Sequence, residues 1–250
     1  MIKNLLLGAR CFLNGFSLIR KPGLRRYAII PLLINIIVFT GLVLLVKDQA
    51  ATLLQGLLPG GQAWWIGIIK SLVWLLVGAA LAVLIFFSFT IIANLIGAPF
   101  NGPLAEAVEK HLLGVESQQS NTLTQIFKEI PATVGSELHK FLYFALWMIP
   151  ALLLFLIPGV NLVAPFVWGL LGAWMLALEY LDYPMSNHQH RFSDVRRRLR
   201  QHRSIGLGFG GMVVLAICIP IVNLIVMPAA VAGATQMWVE YFKHNVKDGL

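Results

Sequence analysis

The sequence predicts an all-α integral membrane protein, because of its composition, its long apolar runs and one internal repeat. Of its 250 residues, 58% are hydrophobic and only 12% are charged, and the mean hydropathy is +0.78. Soluble domains carry about a quarter charged residues, so this composition is typical of a membrane protein. We expect a single membrane domain over residues 1–250. It has two long transmembrane helices and two Pro-interrupted helical hairpins, with an N-terminal amphipathic helix and a cytoplasmic helical region.

Residues 1–22 form the predicted N-terminal amphipathic segment. Lys3, Arg10 and Arg20 are interspersed there with apolar residues, and no small-residue cleavage site follows a compact apolar core. This pattern favours a basic helix on the membrane surface over a cleaved signal peptide.

Residues 24–46 and 63–98 are the two predicted long membrane helices. The first contains an apolar run of about 20 residues, enough to cross a hydrocarbon core of roughly 30 Å. The second would be roughly 50 Å long as one helix, so it must tilt, bend or project into water. Between them, residues 47–62 read as a short loop with one basic residue, Lys47, and a turn at LLPGGQ.

Residues 99–140 are the predicted cytoplasmic helical region. They are polar and mixed in charge, and they include Glu106, Glu109 and Lys110. We expect helices outside the lipid here, with a loop at SQQSNTLTQ.

Residues 141–182 and 205–242 are the two predicted membrane hairpins. Each contains one copy of Ile-Pro-x-Val-Asn-Leu, at residues 157–162 and 219–224. Repeated, proline-interrupted membrane segments are a mark of transport folds. The repeat predicts a hairpin tip at Asn161 and another at Asn223. The arms are near the short limit for crossing a bilayer, so full and partial penetration both stay open.

The distribution of Lys and Arg predicts the orientation of a multi-pass inner-membrane protein. Residues 1–26 hold six such residues, residues 183–204 hold six, and the 47–62 loop holds one. Positive loops stay on the cytoplasmic side. This places both termini, the 99–140 region and the 183–204 loop in the cytoplasm. The net charge of +8 is then explained by topology, and nucleic acid is not expected as a partner.

We find no signature of an enzyme, a metal site or a cofactor site. The chain has no phosphate-binding GxxxxGK[ST] motif and no legible Ser-His-Asp arrangement. GLGFGG at residues 206–211 opens a membrane segment, which favours close helix packing. HQHR at 188–191 reads as a polar interfacial loop rather than a metal site. Cys11 and Cys218 read as small buried apolar residues.

The stretch KPGLRRY, residues 21–27, has two interpretations. A Pro-Gly turn precedes Arg25 and Arg26 at the start of the first long helix. A helix N-terminus has free N–H groups and a positive dipole end, and guanidinium groups suit a tetrahedral oxyanion. The stretch is therefore either an anion site or a positive-inside anchor.

Four stretches together resemble the CysZ family of bacterial inner-membrane sulfate permeases. They are PGLRRYAIIPLLIN, IIANLIGAPFNGPLAE, FLIPGVNLVAPFVWGLLGAWMLALEYLDYPMSNH and IPIVNLIVMPAAVAGATQMWVE. The resemblance covers nearly the whole chain. It implies sulfate uptake that supplies cysteine biosynthesis, and an all-helical fold whose two hairpins enter the membrane only partly.

The resemblance also implies which residues carry the function. Gly23, Leu24, Arg25 and Arg26 match the family's sulfate-binding motif. The helix after APFNG is implicated in the ion path, where Glu106, Glu109 and Lys110 share one helical face, with a solvated surface pair as the alternative. Asn161 and Asn223 are candidate residues of the pore tips, with local caps beside the Pro turns as the alternative.

The function predicted from these observations is a sulfate permease that works as a homo-oligomer in membrane lipid, with sulfite left open as a second substrate. The alternative is a non-transporting membrane scaffold or accessory subunit with basic anchors. Anion binding separates the two, because a scaffold has no reason to prefer sulfate over chloride.

Overall fold

The helices account for nearly all of the chain that the computed structural model describes, which is residues 1–57, 64–115 and 130–243, and no strand occurs in those ranges. The α-helices in these ranges are α1 (Ile2–Leu18), α2 (Arg25–Leu57), α3 (Trp64–Leu113), α4 (Ile130–Leu153), α5 (Ala164–Ser186), α6 (Phe192–Gln201), α7 (Arg203–Ile217) and α8 (Pro220–Met237). Short 3-10 turns at Leu154–Leu156 and Val160–Leu162 precede α5, and a π-helix at Trp238–Phe242 follows α8.

The chain divides into two compact units. The larger unit contains Met1–Ile29 and Ala98–Leu250, and the smaller contains Ile30–Gly97, which includes α2 from residue 30 to its end and α3 from its start to residue 97. In the smaller unit, large apolar side chains such as Ile37 and Leu75 are 71% and 68% exposed. Such a surface needs lipid or another protein to cover it.

The helix α2 extends beyond the boundary that hydropathy predicts. It runs for 33 residues, so residues 47–57 are helical rather than part of a loop. Hydropathy marks where apolar composition ends, whereas a helix ends where its backbone meets a breaker. The LLPGGQ turn begins at the last residue of α2, and its residues 58–62 lie outside the described residues.

The helix α3 also continues further than predicted, through residue 98 and as far as Leu113, for 50 residues. Pro99 and Pro103 lie inside it, although proline removes a helical hydrogen bond. Phe100 and Leu104 are buried beside these prolines, 5% and 1% exposed, and their packing holds the helix together. The predicted SQQSNTLTQ loop lies outside the described residues.

The two copies of Ile-Pro-x-Val-Asn-Leu form the same first turn. The residue before each proline is extended, Ile157 with φ −90° and ψ 115° and Ile219 with φ −99° and ψ 107°. Proline disfavours the helical region for the residue that precedes it, which explains both conformations. The amide of Asn161 then donates to the Ile157 carbonyl (3.1 Å), and the amide of Asn223 donates to the Ile219 carbonyl (2.9 Å).

The copies diverge at the third residue of the motif. Gly159 has φ +83°, a conformation that favours glycine, and the chain passes through a 3-10 turn before α5 begins at Ala164. In the second copy, α8 starts at once with Pro220 in its first turn, a position that suits proline. Asn161 therefore lies in a 3-10 turn, whereas Asn223 lies inside the first turn of α8.

Two described stretches have the length and composition of a membrane-spanning helix, Ala164–Ser186 and Val222–Phe242. Each follows a turn that contains proline. The protein is thus all-helical over the described residues, with these two stretches as candidate membrane spans.

The amphipathic helix α1 packs between α7 and α8, a position that differs from that of a helix lying only on the membrane surface. A Cβ on Gly8 would overlap the Ile205 carbonyl of α7, and a Cβ on Gly15 would overlap the Ala229 carbonyl of α8. The glycines therefore allow backbone-to-backbone contact, as small residues do at membrane helix interfaces. The hydropathy of α1 indicated that one side of the helix is apolar. It did not indicate that α7 and α8 would pack against the helix.

The close-packing prediction for GLGFGG is confirmed. A Cβ on Gly208 would overlap the Leu5 carbonyl of α1, and a Cβ on Gly210 would overlap the Ala173 carbonyl of α5. These contacts join α7 to both neighbouring helices through their backbones.

The prediction of two buried cysteines is half wrong, since Cys11 is buried but Cys218 is exposed. Cys218 follows the last residue of α7, and the neighbouring Ile217 and Ile219 are exposed too. The end of α7 is therefore not buried by the described part of the protein at these three residues.

Replacing Gly210 by Ala should lower the thermal stability of the purified protein. The added methyl group would meet the Ala173 carbonyl, and overpacking of this kind costs about 1–3 kcal/mol. Gly211→Ala is the matched control in the same helix, because its Cβ would meet no atom within 4 Å. Thermal unfolding in detergent, followed by circular dichroism, measures both. Equal melting temperatures for the two variants would contradict the backbone contact.

Candidate functional site

The connection between α1 and α2 holds the candidate anion site. The amide of Lys21 donates to the Leu18 carbonyl (3.0 Å), and the amides of Leu24 and Arg25 both donate to the Lys21 carbonyl (3.1 and 3.2 Å). Gly23 has φ +86°, which an L side chain would strain. The glycine thus lets the chain reverse direction between two helices within a few residues.

Buried and exposed side chains alternate in this connection. Leu24 and Tyr27 are only 4% and 8% exposed and belong to the core of the larger unit. Arg25 and Arg26 lie between them and are exposed. The apolar pair anchors the start of α2, so the two guanidinium groups project from a firmly held backbone.

The two arginines differ in how far they are restrained. The guanidinium carbon of Arg26 lies 4.9 Å from the centre of the Tyr27 ring, and its Nη2 donates to the Tyr27 hydroxyl (3.1 Å). Arg25 makes no side-chain hydrogen bond or ion pair with the described part of the chain. Its planar fork keeps all its donors for a ligand.

Two backbone N–H groups of this connection stay available as hydrogen-bond donors. The amides of Leu24 and Arg25 bond to Lys21, and that of Tyr27 bonds to the Leu24 carbonyl (3.1 Å). The amides of Gly23 and Arg26 have no backbone acceptor within the described ranges. The expected donors of a helix N-terminus are therefore reduced to this pair, close to the arginine side chains.

The end of α3 lies beside this connection. Lys21 Nζ donates to His111 Nε2 at 3.0 Å, an arrangement that needs the neutral imidazole with a lone pair on Nε2. Lys21, Arg25 and Arg26 bring three positive charges within six residues. An anion that approaches this point meets a concentrated positive potential.

The three charged residues predicted for the ion path separate into two groups. Lys110 Nζ lies 2.6 Å from Glu106 Oε1, and the side chains are 29% and 42% exposed. Glu109 has different partners, and its side chain is only 9% exposed. It accepts from Lys243 Nζ at 2.7 Å and lies 2.8 Å from His188 Nε2.

Sequence reasoning missed the partners of Glu109. His188 belongs to the HQHR stretch, but nothing local indicated a carboxylate 79 residues earlier in the chain. His188 also lies against the ring of Trp238, at 5.7 Å between ring centres, and His190 lies at 5.6 Å from the same ring. Burial and the nearby Arg198 lower the pKa of His190, which keeps its ring neutral at pH 7. No cluster of three metal-binding side chains occurs among the residues described.

The two asparagines of the repeat have different environments. Asn161 is exposed in the 3-10 turn before α5, and Asn223 is partly buried in α8. Large apolar residues flank Asn161 in the sequence. Two of them, Leu156 and Leu162, are both 77% exposed. A polar side chain in this apolar surface needs water, a neighbouring protein or an ion to satisfy it.

Comparison with known proteins identifies the family. Residues 11–228 match the family model EI24, described as sulfate transporter CysZ/etoposide-induced protein 2.4. A protein from Pseudomonas paraeruginosa is 42% identical over 226 residues, covering 90% of this chain and 92% of that protein. One from Pectobacterium atrosepticum is 40% identical over 242 residues, covering 95% of this chain and 86% of that protein. One from Vibrio parahaemolyticus is 38% identical over 238 residues (94% and 94%).

These three relatives carry the name sulfate transporter CysZ. The family model covers most of the chain, and each relative aligns along nearly its full length. The chain therefore belongs to the sulfate transporter CysZ/etoposide-induced protein 2.4 family.

Proposed function

We propose that this protein is a sulfate permease of the bacterial inner membrane that brings in sulfate for cysteine biosynthesis. The family and the shared name of the relatives support the substrate. The observation that carries the proposal is the connection at Gly23–Arg26, where two exposed arginines follow a glycine turn and two backbone amides have no backbone acceptor in the described ranges. Sulfite, a related sulfur oxyanion, is the second proposed substrate of the same donors.

The proposed site recognises sulfate through charge and hydrogen bonds together. Each guanidinium offers a planar fork of N–H donors, and charge-assisted bonds of this kind are the strongest that side chains make. Arg25 is free to close on the ion, while Arg26 is already oriented by Tyr27. A partly ordered site loses less conformational entropy on binding.

We propose that Glu106 and Lys110 line the ion path. Their pairing makes the local charge close to neutral, which lets a dianion pass without being held tightly. Glu109 contributes indirectly, because its bonds to Lys243 and His188 hold the end of α3 in place. Asn161 and Asn223 are the proposed polar contacts at the hairpin tips.

The proposed arrangement is a multi-pass protein with both termini in the cytoplasm. The Lys and Arg distribution supports it. The exposed apolar side chains of the hairpin regions, Leu146, Leu156 and Phe166 among them, support burial in lipid or against a second copy. We propose a homo-oligomer, since partly inserted hairpins leave polar backbone that a neighbour covers.

Cysteine labelling tests the orientation. In a chain with both native cysteines replaced by serine, a membrane-impermeant maleimide added outside the cell should label Gln55→Cys and leave Ser193→Cys unlabelled until the membrane is opened. The reason is that residues 183–204 contain six basic residues, whereas residues 47–62 contain one. External labelling of the Ser193→Cys protein would overturn the arrangement.

Sulfate flux into proteoliposomes tests both permease function and path. The parent protein should carry sulfate in preference to chloride. Lys110→Gln should slow sulfate flux by about five-fold or more, since the positive charge that offsets Glu106 is then lost. Glu106→Gln should not slow it, because it removes a repulsive charge. Slower sulfate flux in Lys110→Gln but not in Glu106→Gln would indicate an ion path. A surface pair predicts that both variants carry sulfate as fast as the parent. Equal sulfate and chloride flux through the parent would favour the scaffold alternative.

Paired substitutions of Arg25 and Arg26 test the binding site. Replacing both by Ala should weaken sulfate binding by about ten-fold or more, since two charge-assisted interactions are lost. Replacing both by Lys is the matched control for topology, because positive charge is kept while the fork geometry is lost. Equilibrium binding of radiolabelled sulfate to detergent-solubilised protein measures both. A double-Lys protein that binds sulfate as tightly as the parent would mean that the arginines act only as an anchor.

A further inference from the structure

A polar groove lies between α1 and the end of the chain's last described helix. It encloses a cavity of about 180 Å³. One wall comes from one face of α1, and the other comes from the end of α8 and the π-helix. The residues used below are Arg10, Cys11 and Asn14 on the first wall, and Gln236, Glu240 and Tyr241 on the second.

The groove holds one positive and one negative side chain that do not pair with each other. Arg10 and Glu240 both line it, yet no ion pair joins them within 4.0 Å in the described part of the chain. Glu240 instead accepts a hydrogen bond from Gln236 Nε2 (2.6 Å). Both charges act on the buried Cys11 thiol between them: burial raises its pKa to about 12, with Glu240 adding to the rise and Arg10 opposing it. Opposite charges facing one cavity suit a ligand that carries both signs.

The second wall depends on an uncommon backbone. The five residues Trp238–Phe242 form a π-helix, and the amide of Lys243 donates to the Trp238 carbonyl (2.9 Å) across five residues. This wider turn brings Glu240 and Tyr241, neighbours in sequence, to line the same cavity. Single π-turns are rare and recur at functional sites.

An apolar stripe runs beside the groove on α1. Ile2, Leu6 and Leu13 are 72%, 65% and 53% exposed. Arg10 is four residues after Leu6 and three before Leu13, so it is their neighbour on the helix surface. The groove is therefore polar inside and bordered by a strip that favours hydrocarbon.

We propose that this groove binds the headgroup of an aminophospholipid, a zwitterion with a phosphate and a primary ammonium group. The phosphate binds Arg10 and Asn14, and the ammonium binds Glu240, while the acyl chains follow the stripe Ile2, Leu6 and Leu13. The cavity holds on the order of six water molecules, which is enough room for a small polar headgroup. The site is separate from the connection at Gly23–Arg26 and does not depend on sulfate transport.

Native mass spectrometry of the full-length protein in detergent tests the proposal with short-chain lipids. Dioctanoyl phosphatidylethanolamine should bind about ten-fold more tightly than dioctanoyl phosphatidylcholine, whose quaternary ammonium has no N–H donor for Glu240. Glu240→Gln should remove this preference, whereas Arg10→Gln should weaken the binding of both lipids, because both carry the phosphate. Lys3→Gln is the matched control, since Lys3 is an exposed cation of α1 outside the groove. Thermal unfolding checks that all variants are folded.

The remaining outcomes overturn the proposal. Equal binding of the two lipids by the parent, an unchanged preference in Glu240→Gln, or unchanged binding of both lipids in Arg10→Gln would show that the groove does not recognise the headgroup. Free phosphoethanolamine or serine that binds as tightly as the lipid would assign the groove to a soluble zwitterion instead, because the apolar stripe would then contribute nothing.

Discussion

The close approach of the α1 backbone to α7 and α8 is the constraint on which the larger unit depends. Gly8, Gly15 and Gly208 stand where any side chain would overlap a carbonyl of the facing helix. Because α1 is held this way, Leu18 and Ile19 are buried at its end and fix where the connection to α2 begins. The orientation of the two arginines that follow is therefore determined largely by glycines at helix interfaces. The same docking forms one wall of the polar groove, so both proposed ligand sites rest on one interface.

The features that sequence predicted well are those determined within a single turn. The Pro-Gly turn before Arg25 and the close packing of GLGFGG follow from local backbone chemistry, and both are present. Composition was likewise enough for an all-helical protein. The repeat was recognisable in the sequence. How each turn continues depends on the third residue of the motif, which is Gly159 in the first copy and not glycine in the second.

The features that sequence reasoning missed depend on distant partners or on packing. The helix α3 continues past residue 98 through Pro99 and Pro103, and Phe100 and Leu104 are buried in this continuation. The shared helical face of the three charged residues after APFNG gave no sign that Glu109 would turn to His188 and Lys243. Exposure of Cys218 could not be read from an apolar run, because hydropathy does not distinguish a lipid-facing position from a protein-facing one.

The ion pair between Glu109 and Lys243 has a consequence for the order in which the chain matures during synthesis. The partners are 134 residues apart, so the carboxylate emerges from the ribosome long before its lysine. His188 arrives first and supplies one contact, 79 residues after Glu109. Loss of one partner of a buried ion pair costs about 3–5 kcal/mol, so the end of α3 reaches its full stability only when Lys243 has added the second contact. Synthesis of the chain as far as Lys243, rather than membrane insertion of the early helices, is then the event that completes these contacts.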